Sequence, residues 1–197
     1  ADGVAIAGLA SSTLDALDAD GLAGLDKDTK VLIFDDGFDI TDKTIEIDGN
    51  VTLLIRGDID IKQAIFSFTD PAVSSLTIIT AGKIDIDTST YMFEGETVNS
   101  EGNPPLTIYS SYESTAANDY ALNITANANM YTKLYAPLGN LALGGGAEIM
   151  GAVRGKYVTV SNGTGIHYDE VLSEINDTIE SNAVPASYSS VYYYYPL

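Results

Sequence analysis

Cysteine and tryptophan are absent from this 197-residue chain, and histidine occurs once. Without cysteine there is no disulfide framework, no thiolate metal site and no thiol nucleophile, and one histidine excludes a multi-histidine zinc or iron site. Positive charge is scarce too. Lys and Arg total 9 against 28 Asp and Glu, a formal charge of -19. Most of such a surface repels a phosphate backbone, so nucleic acid is not an expected partner. No apolar run approaches the roughly 18 residues of a membrane-spanning helix, and residues 1–30 lack the basic start of a signal peptide. No transmembrane segment is expected in this chain, and any leader or anchor is expected outside it. What is present is 45% hydrophobic with a mean hydropathy near zero, enough for one well-buried domain.

Residues 1–30 are rich in Ala, Leu and Gly and predict a helical or irregular amino-terminal cap. From Val31 the pattern changes to short alternating apolar and polar runs punctuated by Gly, Asn, Asp and Pro, the signal for many short strands. The run VTLLIRGDIDI at 51–61 realigns on LTIITAGKIDI at 76–86, matching Thr52 to Thr77, Gly57 to Gly82, Ile59 to Ile84, Asp60 to Asp85 and Ile61 to Ile86. Weaker echoes follow at 106–111, 132–143 and 152–160, with a period drifting from 25 to under 20 residues. Regular two-residue hairpins are missing, which disfavours propeller blades and favours a parallel β-helix, or β-solenoid, over 31–168.

In such a fold like residues stack about 4.8 Å apart in ladders. Ile59 over Ile84 and Ile61 over Ile86 are expected inside, Asp58 over Lys83 outside as an ion pair, and Gly57, Gly82 and Gly139 at tight corners. Segment 94–120, with Gly95, Gly102, Pro104 and Pro105, predicts a projecting loop. Residues 169–182 read as an amphipathic helix with Leu172, Ile175 and Ile179 on one side, a second end cap, followed by the Tyr-rich tail to 197. The expectation is therefore an all-β solenoid with short α-helical segments capping its ends.

The stretch GNLALGGGAEIMGAVRGKYVTVSNGTGIHYDEVL at 139–172 resembles the carboxy-terminal domain of PilX-type pilus-associated surface proteins. The resemblance rests on the Leu141–Leu143 strand, the Gly144–Gly146 turn, Ile149 to Val153, Lys156 to Val160, and above all Gly165, Ile166, His167, Tyr168, Asp169 and Leu172. It covers about a sixth of the chain. It implies an exported β-solenoid with a structural or adhesive role and no catalytic residues.

Imidazole beside a carboxylate is how a general base is oriented, so His167 and Asp169 invite a catalytic reading. No G-x-S-x-G elbow accompanies them, and hydrogen bonds to the last coil are the simpler expectation. Asp60 and Asp85 fall one coil apart as like charges, a strain that a hard cation would relieve. Calcium at these two residues is the cofactor expectation, although no EF-hand or calcium-binding nonapeptide is present. Asn50, Asn123, Asn162 and Asn176 begin Asn-x-Ser/Thr sequons, glycosylation candidates on a surface protein. Tyr192, Tyr193, Tyr194 and Tyr195 are candidates for packing or subunit contact, ahead of sugar stacking.

The function expected is a non-catalytic structural or adhesive extracellular module of a cell-surface appendage. Its partners would be copies of itself in a filament or other pilus components. The alternative is a carbohydrate-binding or carbohydrate-cleaving β-helix with a glycan as ligand. An ice-binding face fails because the threonine row Thr52, Thr77 is too short.

Overall fold

Apolar residues occupy alternate positions in most of the strands, so one side of those strands faces a common interior. Val51, Leu53 and Ile55 point inward from Asn50–Ile55, and Leu76, Ile78 and Thr80 do so from Ser75–Thr80. The computed structural model describes residues 4–5, 30–34, 36–87, 89–93, 98–100, 102–125, 129–146 and 148–168. It is a parallel β-solenoid of about six turns.

Three walls enclose the core. The first wall contains β1 (Val4–Ala5), β2 (Lys30–Phe34), β5 (Asn50–Ile55), β8 (Ser75–Thr80) and β11 (Leu106–Ser110). It continues through the early halves of β13 (Met130–Leu143) and β14 (Glu148–Val160) to β15 (Gly165–His167). The second wall contains β3 (Phe38–Thr41), β6 (Ile59–Lys62), β9 (Ile84–Ile86) and β12 (Tyr120–Ile124), then the later halves of β13 and β14. The third wall is shorter: β4 (Thr44–Ile47), β7 (Ile65–Phe68) and β10 (Tyr91–Met92). All pairings are parallel.

The sequence repeat is the structural register. Ile59 pairs with Ile84, Asp60 with Asp85, Ile61 with Ile86 and Thr52 with Thr77. Gly57 and Gly82 stack at the corner between the first two walls, where a Cβ on Gly82 would lie 2.5 Å from the Gly57 carbonyl carbon. Gly37 belongs to the same stack, one turn earlier. Two inward hydroxyls bind that corner together. Thr80 Oγ1 accepts from the Gly82 amide (2.9 Å) and donates to the Gly57 carbonyl of the turn before (2.7 Å). Ser110 Oγ repeats the device, accepting from Tyr112 N (3.1 Å) and donating to Gly82 O (2.8 Å).

Turn length does not drift steadily downward as the repeat suggested. The pairings Lys30 with Val51, Val51 with Leu76, Leu76 with Leu106, Leu106 with Thr132, Thr132 with Gly151 and Ile149 with Ile166 are separated by 21, 25, 30, 26, 19 and 17 residues. The segment 94–120 is likewise not one projecting loop. β11 runs through it in register with β8, and Pro104 and Pro105 are buried, because Leu106, Ile108 and Ser110 of LTIYS continue the inward columns of Leu76, Ile78 and Thr80. Val4–Ala5, expected within a helical or irregular cap, instead adds a strand to the edge of β2. No helix occurs among the described residues; the expected helix at 169–182 and most of the 1–30 cap lie outside them.

The interior tapers. All five phenylalanines serve the three-walled half, with Phe68 and Phe93 stacked at 4.0 Å and Phe34 and Phe38 tilted at 5.0 Å. One inner column runs Val51, Leu76, Leu106, Thr132, Gly151, losing bulk as the turns shorten and the third wall disappears.

Candidate functional site

Function on a filled solenoid must lie on the outer walls or the ends. The outer side of the second wall carries Asp39, Asp60, Asp85 and Asn123 in one in-register row. Three carboxylates at strand spacing repel one another unless each is answered. Here each is. Thr41 Oγ1 donates to Asp39 at 2.9 Å, Lys62 pairs with Asp60, and the Asn123 amide donates to Asp85 at 3.3 Å. The Asp60 hydrogen bond raises the Lys62 pKa. Asp60 Oδ1, like Thr132 Oγ1 and Asn140 Oδ1 elsewhere, is buried without a hydrogen-bond partner among the described residues. Asp60 and Asp85 thus stand together as expected, and their neighbours supply the compensation for which a cation had been invoked. Among the described residues no three His, Asp or Glu side chains converge as metal ligands.

Lys83 does not make the expected outward ion pair with Asp58. The Asp58 carboxylate instead accepts the Lys83 backbone amide at 2.8 Å, and the Lys83 ammonium lies 2.9 Å from Asp119. Asp119 also accepts from the Tyr112 hydroxyl (3.0 Å) and the Thr115 amide (2.9 Å). The Lys83 ammonium, and next the Thr115 amide, hold its carboxyl well below the usual carboxylate range. The cluster pins the 111–119 connection across the corner. Sequence reasoning missed it because its members are 36 residues apart and share no spacing rule.

The outer side of the first wall is different in kind. Thr52, Thr77, Thr107 and Lys133 form one row, a third threonine extending the two found by repeat. The adjacent row is Leu54, Ile79, Tyr109, Tyr135 and Arg154. Tyr109 and Tyr135 rings lie 5.7 Å apart at 58°, and the Arg154 guanidinium sits over Tyr135 at 5.3 Å. This is a packed aromatic–cation stack and not a flat platform for a sugar ring.

His167 pairs with Glu148, Nε2 to Oε2 at 2.5 Å, in place of the expected bonds to backbone groups. The pair is exposed and joins β15 to β14. Among the sequons, Asn50 is half-buried and its Oδ1 accepts from Ser75 Oγ at 2.7 Å, while Asn123 is committed to Asp85. Asn162 is exposed in a turn, with φ 55° and Gly163 following at φ 76°. Asp169, Asn176 and Tyr192 to Tyr195 lie outside the described residues.

At the narrow end the later half of β14 has no strand above it among the described residues. Val158 and Val160 stack on Leu141 and Leu143, yet remain 40% and 42% exposed. Among the described residues no helix is long and apolar enough to cross a membrane.

The family assignment covers the solenoid from β2 to β15. The chain belongs to the DUF7305 family. That family is described as a domain of unknown function, and its model matches residues 6–175. A search of the curated proteins and one of the solved structures each return no match. The DUF7305 match takes in all three walls, so the Asp row, the first-wall rows and the narrow end all belong to the family domain.

Proposed function

We propose that this domain is a non-catalytic structural module of a cell-surface appendage, a stiff rod at or outside the cell surface that spaces or joins other components. The observation that carries the reading is the unbroken inner ladder: fully buried Ile59, Ile61, Ile84, Ile86, Leu76, Ile78, Leu106 and Ile108 link successive turns. Such a core resists bending, because shifting one turn disturbs the packing of two others. The resemblance of residues 139–172 to pilus-associated surface proteins supports placing the rod at an appendage, in self-association or with other pilus components.

A carbohydrate-active role finds less support. The charged groups of the second wall are occupied with one another, and the Tyr135 ring is already covered by Arg154. Gold-labelled antibody on intact producing cells is expected to decorate surface appendages. Label confined to the cell interior, or release of sugar from a polysaccharide panel by the purified protein, would overturn the reading.

A further inference from the structure

Three Asn-x-Ser/Thr sequons fall among the described residues, and the fold treats their asparagines differently. An N-linked sugar replaces one hydrogen on Nδ2, so the folded surface must leave that nitrogen room and no other duty, whenever the sugar arrives. Asn123 fails on duty. Its Nδ2 donates to both Asp85 oxygens at 3.3 Å, and diverting it would leave Asp85 unanswered beside Asp60. Asn50 fails on room. It is half-buried within the first wall, its Oδ1 held by Ser75 Oγ at 2.7 Å, and a sugar there would have to fit against that neighbour at a strand spacing of about 4.8 Å.

Asn162 is placed otherwise. Thr164 N donates to Ser161 O at 3.2 Å across a two-residue turn in which Asn162 and Gly163 take φ 55° and 76°, a conformation that asparagine and glycine tolerate best. Both residues are exposed, and a Cβ on Gly163 would meet nothing within 4 Å. The turn packed against this one is Gly144, Gly145 and Gly146, where a Cβ on Gly144 would stand 3.7 Å from Asn162 Nδ2. Because glycine is there, no side chain crowds the nitrogen from that side.

We propose that Asn162 carries an N-linked glycan, an inference that rests on reading the domain as an exported surface module. In the transfer, Nδ2 attacks the anomeric carbon of a sugar activated as a lipid-linked phosphate or pyrophosphate ester. The C–N bond forms as the sugar–phosphate C–O bond breaks, the lipid phosphate leaves, and one Nδ2 proton passes to a base of the transferase. The sequon hydroxyl is part of what a transferase reads. Thr164 is buried in the folded turn, its Oγ1 accepting from Gly146 N at 3.1 Å, so transfer precedes closure of this turn onto Gly146.

The test uses full-length protein from producing cells, digested and mapped by mass spectrometry. Sugar mass is expected on the peptide holding Asn162 in most chains, and none on the peptides holding Asn50 or Asn123. Asn162→Gln removes it without altering the circular dichroism of the rod. Thr164→Ala removes it too, whereas Thr164→Ser, which keeps the hydroxyl, retains it. Should a variant fail to fold, the map of the parent protein still decides. A bare Asn162, its conversion to aspartate without sugar, or sugar confined to Asn50, Asn123 or Asn176 overturns the proposal. The antibody label separates the two readings: surface-labelled protein with a bare Asn162 sinks the glycan alone, and interior protein with a bare Asn162 sinks both.

Discussion

The first and second walls rest on the same kind of inner column, isoleucine and leucine stacked turn upon turn, and yet their outer sides share almost nothing. One shows Leu54, Ile79, Tyr109 and Tyr135 without a carboxylate; the other shows Asp39, Asp60 and Asp85. The fold demands only the inner pattern, since burial of each aliphatic side chain contributes roughly 1.5–3 kcal/mol wherever the outer neighbour is merely polar. The outer difference is therefore not required by the fold: the second wall carries a charge ladder answered by its own neighbours, and the first wall an apolar and aromatic row beside a threonine row.

Breaking what the two walls share should have the largest effect. Ile61→Ala removes a fully buried side chain from the middle of the ladder and is expected to cost about 2–5 kcal/mol in urea unfolding. A cost under about 1 kcal/mol would mean the column is not close-packed. Breaking the joint between the walls comes next. Gly82→Ala drives a methyl group against Gly57 and should cost about 1–3 kcal/mol, with no comparable penalty for the exposed turn substitution Gly163→Ala beyond its backbone strain.

The contrast sharpens with charge. Lys62→Ala leaves Asp60 facing two aspartates and should lower the melting temperature at low salt, with Asp60→Asn in the same chain restoring it. Because Lys62 and Asn123 already answer the carboxylates, calcium or a chelator is expected to leave the melting temperature unchanged. A calcium-dependent rise abolished by Asp85→Asn would instead place a cation on the ladder. The smallest effect is the pH response of the corner cluster. Asp119 titrates below the unfolded carboxylate value of about 3.9, so its stabilising contribution is complete above that pH and fades as acid carries it through its folded value. Asp119→Asn should flatten that acid limb and leave the neutral and alkaline range parallel to the parent.

Much of the inner architecture was legible because equivalent positions of successive turns stack in a solenoid, and where they hold the same residue the repeat is visible in one sequence. Ile59 and Ile61 announced Ile84 and Ile86, and Gly57 announced Gly82. The third turn of the threonine row was hidden by a longer connection that moved Thr107 to 30 residues beyond Thr77. Gly37 escaped notice because the 21-residue first turn breaks the 25-residue period. The outer partners of Lys83, Asp85 and His167 were not legible at all. Side-chain pairs across walls and connections depend on turn lengths that alternation does not encode, so Asp119, Asn123 and Glu148 emerged only with the coordinates.

The taper makes the rod mechanically directional. Among the described residues its phenylalanine-filled foot has three walls and its far end two, with Gly151 standing where Leu76 and Leu106 fill the lower turns. A pull along the axis is expected to peel the thin tip first, one turn at a time, and to meet rising resistance as it reaches the foot. A stack that gives way from its thin end first would lose its turns in order and leave the phenylalanine-packed turns for last.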